Sequence, residues 1–86
     1  MQSTEVIFYP LMTESASLMV EKDNKLIFIV SLKASKEDVK KAVEELYEVK
    51  VDKITTLVTP QGQKKAFVKL KPEYKASDVA IKLGIL

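Results

Sequence analysis

The spacing of apolar and polar residues changes along the chain, and each change marks an element. Residues 6–9 (V-I-F-Y) are β-prone and stop at Pro10, which predicts a short strand at a sheet edge. Thr13 is placed to cap a helix over about residues 13–22, with Glu14 in the first turn where its charge suits the helix dipole. After a turn at Asp23 and Asn24, residues 26–32 (L-I-F-I-V-S-L) are almost wholly apolar, which predicts a strand covered on both faces. Ser35 opens the clearest helix, with Asp38 three residues on in a capping-box arrangement. Val39, Ala42, Val43, Leu46 and Tyr47 fall on one stripe of that helix. Its outer face offers Glu37–Lys41, Lys40–Glu44 and Lys41–Glu45 pairs, each worth about 0.2–0.5 kcal/mol.

Residues 51–59 (V-D-K-I-T-T-L-V-T) are rich in β-branched side chains and read as a strand. Pro60, Gln61, Gly62 and Gln63 form a tight turn, and residues 64–71 return as the hairpin partner until Pro72 ends them. In the returning strand Ala66, Val68 and Leu70 alternate with Lys65, Phe67, Lys69 and Lys71. Ser77 is expected to cap a last short helix that Gly84 terminates, leaving Ile85 and Leu86 to pack as a tail. The order is β-α-β-α-β-β-α, an α/β (α+β) domain whose sheet is expected to be covered on both faces. At 86 residues the chain has room for one core, so residues 1–86 are expected to be one domain.

Composition narrows the function mainly by exclusion. There is no cysteine and no histidine, which removes the commonest nucleophile–base pairs and the usual transition-metal ligands. An enzyme is therefore the least favoured class, and neither a cofactor nor a small-molecule substrate is implied. No apolar run reaches the roughly 20 residues of a membrane helix and no secretory signal opens the chain, so a cytoplasmic protein without a membrane partner is expected. The net charge of +2 is unremarkable, but its distribution is not. Residues 1–32 carry two lysines against four acids, residues 33–50 five against five, and residues 51–86 seven against three. Between Pro60 and Lys71 there are four lysines and no acid, which makes the hairpin the candidate phosphate-facing surface.

Three groups of residues are candidates for RNA contact. Lys65, Lys69 and Lys71 interleave with Phe67 and could meet a phosphate backbone while the ring stacks on a base; a solvated face with Phe67 packed inward is the alternative. Lys33, Ser35, Lys36 and Lys40 gather at the start of the second helix, where free N–H groups favour phosphate, although Glu37 and Asp38 suit plain helix stability. Thr55 and Thr56 in the first hairpin strand, with Gln61, Gln63, Lys64 and Lys65 around the turn, could hydrogen-bond RNA or serve only β-propensity and solvation. Glu14 and Glu48 read as helix-end charges, without the pairing that acid–base catalysis needs. An RRM-like single-strand RNA binder and a protein-interaction module using a free sheet edge remain as rival classes.

Several segments, taken in order, resemble one family. They are P-L-M-T-E-S-A-S (residues 10–17), K-L-I-F-I-V, A-S-K-E-D-V-K-K-A-V-E (residues 34–44) and V-D-K-I-T-T-L-V-T-P-Q-G-Q-K-K-A-F-V-K-L (residues 51–70). The chain is similar to the universal large-subunit ribosomal protein twenty-three family, in its archaeal form, over about residues 5–86. The resemblance implies a four-stranded, mostly antiparallel sheet with helices on both faces. It also implies a ribonucleoprotein role in translation: binding to large-subunit ribosomal RNA beside the exit of the nascent-peptide tunnel. The implied partners are ribosomal protein twenty-nine, the signal recognition particle and other nascent-chain factors. By position, Glu14 and Glu48 match the family's factor-docking acids. Lys33, Ser35 and Lys36 match its approach to the helix, and Thr55, Thr56, Lys64 and Lys65 its RNA-facing hairpin. Ser15 and Thr55 depart from the family's usual Lys and Asn, and the hairpin lacks the long loop of the bacterial form.

Overall fold

The computed structural model describes residues 3–84, so the expected packing of Ile85 and Leu86 lies outside the described residues. The elements are α1 (Ser3–Val6), β1 (Ile7–Pro10), α2 (Glu14–Asp23), β2 (Lys25–Val30), α3 (Lys36–Tyr47), β3 (Val51–Val58), β4 (Lys64–Leu70) and α4 (Ala76–Leu83). The expected order holds, with the one-turn α1 added ahead of the first strand. Strand order in the sheet is β1-β2-β4-β3, and every neighbouring pair is antiparallel. β1 and β3 are therefore the edges. Among the described residues no helix is long and apolar enough to cross a membrane.

Local chemistry sets most boundaries. Thr13 Oγ1 accepts from the Ala16 N–H at 3.1 Å and starts α2, as its hydroxyl suggested. The α3 capping box is complete: the Asp38 N–H reaches Ser35 Oγ at 3.2 Å, and the Ser35 N–H reaches Asp38 Oδ2 at 3.0 Å. β2 stops at Val30 because Ser31 turns the chain. Its Oγ accepts from the Lys33 N–H at 3.2 Å and its carbonyl from the Ala34 N–H at 3.0 Å. Leu32, expected inside the strand, is left 57% exposed. Leu46 is exposed as well, because the buried stripe of α3 narrows to Val39, Ala42 and Val43. Glu44 departs from the expected pairing with Lys40, since its Oε2 accepts from the Val51 N–H at 2.9 Å and ties α3 to the start of β3.

The last helix is capped from a distance. α4 begins at Ala76, one residue before the expected cap Ser77, and its N-cap residue Lys75 makes no side-chain cap bond. Asn24 does this instead: its Oδ1 accepts from the Ala76 N–H at 2.7 Å. Its Nδ2 donates to the carbonyls of Tyr74 at 2.9 Å and Leu70 at 3.3 Å. The same residue ends α2 with a left-handed φ of 56°, a conformation that asparagine tolerates better than most side chains.

The antiparallel sheet and its helices form the expected α+β architecture. Leu26, Phe28 and Val30 of β2 face the same side as Ala66, Val68 and Leu70 of β4 and Val51 and Ile54 of β3. Val6, Val20, Val39, Ala42, Val43, Val79 and Ala80, drawn from all four helices, join them in one cluster. Tyr47 adds a ring stacked on Phe28, with centroids 5.7 Å apart. Ile27 and Ile29 point to the second face and are only 6% and 2% exposed, yet they stand outside this cluster. Tyr9 and Lys65 flank Ile29 in register, and Phe67 stands beside Ile27.

Candidate nucleic-acid interface

Cross-strand register decides which side chains share the second face, because residues directly opposite in an antiparallel pair point to the same side. Three rows result. Lys25, Lys69 and Lys53 stand opposite one another across β2, β4 and β3. Ile27, Phe67 and Thr55 form the next row, and Ile29, Lys65 and Leu57 the third, with Tyr9 of β1 beside Ile29. Four lysines and no acid occupy these ten positions. Like charges directly opposite destabilise a sheet, so the Lys25–Lys69–Lys53 row works against the folded state unless an anion lies across it.

Lys53 joins that row through a backbone irregularity. Val51 pairs with Leu70 on the core side, and in a regular strand Lys53 would point the same way. The register shift between Val51 and Lys53 inserts an extra residue and turns Lys53 to the second face opposite Lys69. Of the residues picked from sequence, Lys65, Lys69 and Thr55 are on this face. Thr56 lies opposite Ala66 and Lys64 opposite Val30, so both point to the core side. Lys64 is also occupied, since its Nζ donates to the Ala34 carbonyl and ties the hairpin to the loop ahead of α3. Lys71 falls beyond β4. Lys25, Lys53 and Tyr9 were missed; their sequence signal is only a lysine in the first three residues of each strand and an aromatic in a four-residue strand.

At the hairpin turn, the Gln63 N–H donates to Thr59 Oγ1 at 3.1 Å, while Gln63 Nε2 donates to the Tyr9 hydroxyl at 3.0 Å. The turn is thus clasped to β1, and Gln61 stays exposed near its tip. Gly62 has φ +81°, a left-handed conformation that favours glycine. At the start of α3, Lys33, Ser35, Lys36 and Lys40 are all exposed. Ser35 is already engaged by the cap. Asp38 adds a negative charge there: hydrogen bonds from the Ser35 backbone and then its side chain hold the carboxyl below the usual carboxylate range. The tertiary fold divides this group in two. Lys36 and Lys40 share a small groove with Lys53, whereas Lys33 borders a larger cavity with Gln63 and Lys64.

A family model for ribosomal protein L23 matches residues 5–84. The chain belongs to the ribosomal protein L23 family. Members are structural proteins of the large ribosomal subunit, associated with its RNA, and this fixes the coarse function as structural rather than enzymatic. In this L23-family protein the two expected docking acids lie apart along the chain's edges. Glu14 opens α2 just after edge strand β1, and Glu48 caps α3 with a φ of 55° just before edge strand β3. Both are exposed. Glu14 has Met12 and Leu18 close by in sequence, 64% and 47% exposed, so apolar surface flanks that acid.

Proposed function

We propose that this L23-family chain is of the archaeal type and folds as one domain of the large subunit of cytoplasmic ribosomes. It binds large-subunit rRNA with its lysine-bearing sheet face, beside the exit of the nascent-peptide tunnel. The Lys25–Lys69–Lys53 row carries the RNA reading, because three cations held side by side without an acid form a surface that a phosphate backbone relieves. Lys65 and Thr55 extend the same surface, and Lys36 and Lys40 approach it through their shared groove with Lys53. The short turn between β3 and β4 supports the archaeal assignment. Ribosomal protein twenty-nine is the proposed neighbour. Replacing Lys25, Lys53 and Lys69 by Gln should lower affinity for large-subunit rRNA and reduce the salt slope by roughly 2–3, at about 0.7–0.9 for each phosphate that is no longer neutralised. A slope equal to wild type would refute the assignment of RNA to this face.

The acidic helix layer is proposed to face outward and receive nascent-chain factors, including the signal recognition particle. Glu14 with its flanking Met12 and Leu18 offers a charge beside an apolar surface, a combination that suits a protein partner. Glu14→Ala should leave rRNA affinity unchanged and weaken capture of a tunnel-exit factor by isolated ribosomes. If factor capture is also unchanged, Glu14 acts only on the α2 dipole.

A further inference from the structure

A cavity of about 530 Å³ lies at one corner of the lysine face, between β1, the Ser31–Lys33 turn and the hairpin turn. Phe8, Tyr9, Ile29 and Leu32 give it apolar walls, and Gly62 contributes no side chain at the hairpin side. Tyr9 and Ile29 belong at the same time to the lysine face, so the cavity is continuous with it. Phe8 and Leu32 are 59% and 57% exposed, which leaves two large apolar side chains facing solvent across one opening. The rim carries Lys33 beside one acid, Glu5, while Lys64 there is held by the Ala34 carbonyl, and Lys65 lies directly opposite Ile29 on the adjoining strand.

We propose that this cavity takes one unstacked nucleobase of the bound RNA, with its neighbouring phosphates on Lys33 and Lys65. The proposal rests on the reading of the sheet face as an RNA surface and names a ligand group within it. An aromatic wall and an aliphatic wall suit the flat faces of a base, and such stacking tolerates any of the four bases. Cations on both approaches favour a nucleotide over an apolar side chain from a protein, which would leave those charges without a partner. The register shift between Ile7 and Tyr9 explains the opening. It sets Phe8 out of the regular alternation of β1, so its ring projects at the edge instead of packing. The Gln63–Tyr9 hydrogen bond then holds the hairpin side of the cavity at a fixed distance from β1.

The test uses the full chain and deproteinised large-subunit rRNA. Phe8→Ala with Leu32→Ser should weaken binding about tenfold, the scale of one missing stack, while the salt slope stays at its wild-type value. The Lys25, Lys53 and Lys69 variant should do the reverse and change the slope. If the lysine variant behaves as stated but the Phe8 and Leu32 variant binds like wild type, the cavity proposal fails and the sheet-face reading survives. If the slope is unchanged in the lysine variant, the sheet-face reading itself fails. Ultraviolet cross-linking of the unaltered complex provides a check that no misfolded variant can spoil. A nucleotide adduct on Phe8 or Tyr9 is expected. Adducts confined to Phe67, or protection of Phe8 only in whole subunits and not in the rRNA complex, would overturn the proposal, the latter in favour of a protein neighbour.

Discussion

Around the main core, polar side chains complete the backbone: Lys64 bonds the Ala34 carbonyl, Glu44 the Val51 N–H, and Asn24 three groups around the start of α4. On the opposite side, Lys25, Lys69 and Lys53 stand in one row with no acid among them. The acids are distributed accordingly. Glu5, Glu14, Glu21, Asp23, Glu37, Asp38, Glu44, Glu45 and Asp78 lie on helices, whereas the four strands contain only Asp52. One face is arranged for the stability of the chain alone. The other accepts a local electrostatic cost that only an external anion removes, and this is the pattern of a surface shaped by its partner.

Substitutions that act on one face and spare the other test this contrast. The largest effect is expected at Asn24. Asn24→Ala removes three side-chain hydrogen bonds, two of them short, and places alanine at a left-handed φ, so unfolding free energy should fall by about 2–3 kcal/mol. Asn24→Gly relieves the backbone but restores none of the bonds. Denaturant unfolding that finds Gly equal to wild type would show that the side-chain cap of α4 contributes nothing. RNA affinity of the folded fraction should be unaffected by either change.

A smaller effect of opposite sign is expected at the centre of the lysine row. Lys69→Thr removes a like charge from between two others and adds a good strand former, so the free protein should gain about 0.5 kcal/mol. Its rRNA affinity should fall at the same time. A loss of stability on this substitution would break the contrast, because it would mean that Lys69 is already satisfied within the chain.

The smallest effect belongs to Asp38. Its carboxyl titrates below the ordinary carboxylate range because Ser35 donates to it, so its stabilising contribution is complete above that range and is lost as pH falls through the lowered value. Acid unfolding of Asp38→Asn should therefore show a shallower loss of stability at low pH than wild type. Equal acid limbs would mean that the capping box adds no pH dependence.

Residue by residue, what the sequence revealed was whatever depends on near neighbours. The Thr13 and Ser35 caps, the helical stripe of Val39, Ala42 and Val43, and the hairpin about Gly62 were each readable because cap, period and turn act within a few positions. Leu32 was misread for the same reason: apolar character suggested burial, while the adjacent Ser31 hydroxyl turned the chain outward. In the candidate site, Lys65 and Lys69 were found from alternation along one strand. Lys64, next to Lys65, was grouped with it, although successive strand residues point to opposite faces.

The amino-acid sequence by itself determined the order of elements, the interior position of β2 and the concentration of lysine late in the chain, since composition and periodicity are properties of a segment. Only the tertiary structure decided that Lys25, Lys53 and Lys69 form one row, that Asn24 caps a helix 52 positions away, and that residues of all four helices join one core cluster. Register, a strand bulge and the side on which a crossover passes are relations between distant segments. Their energies arise only once those segments meet, so no local pattern encodes them.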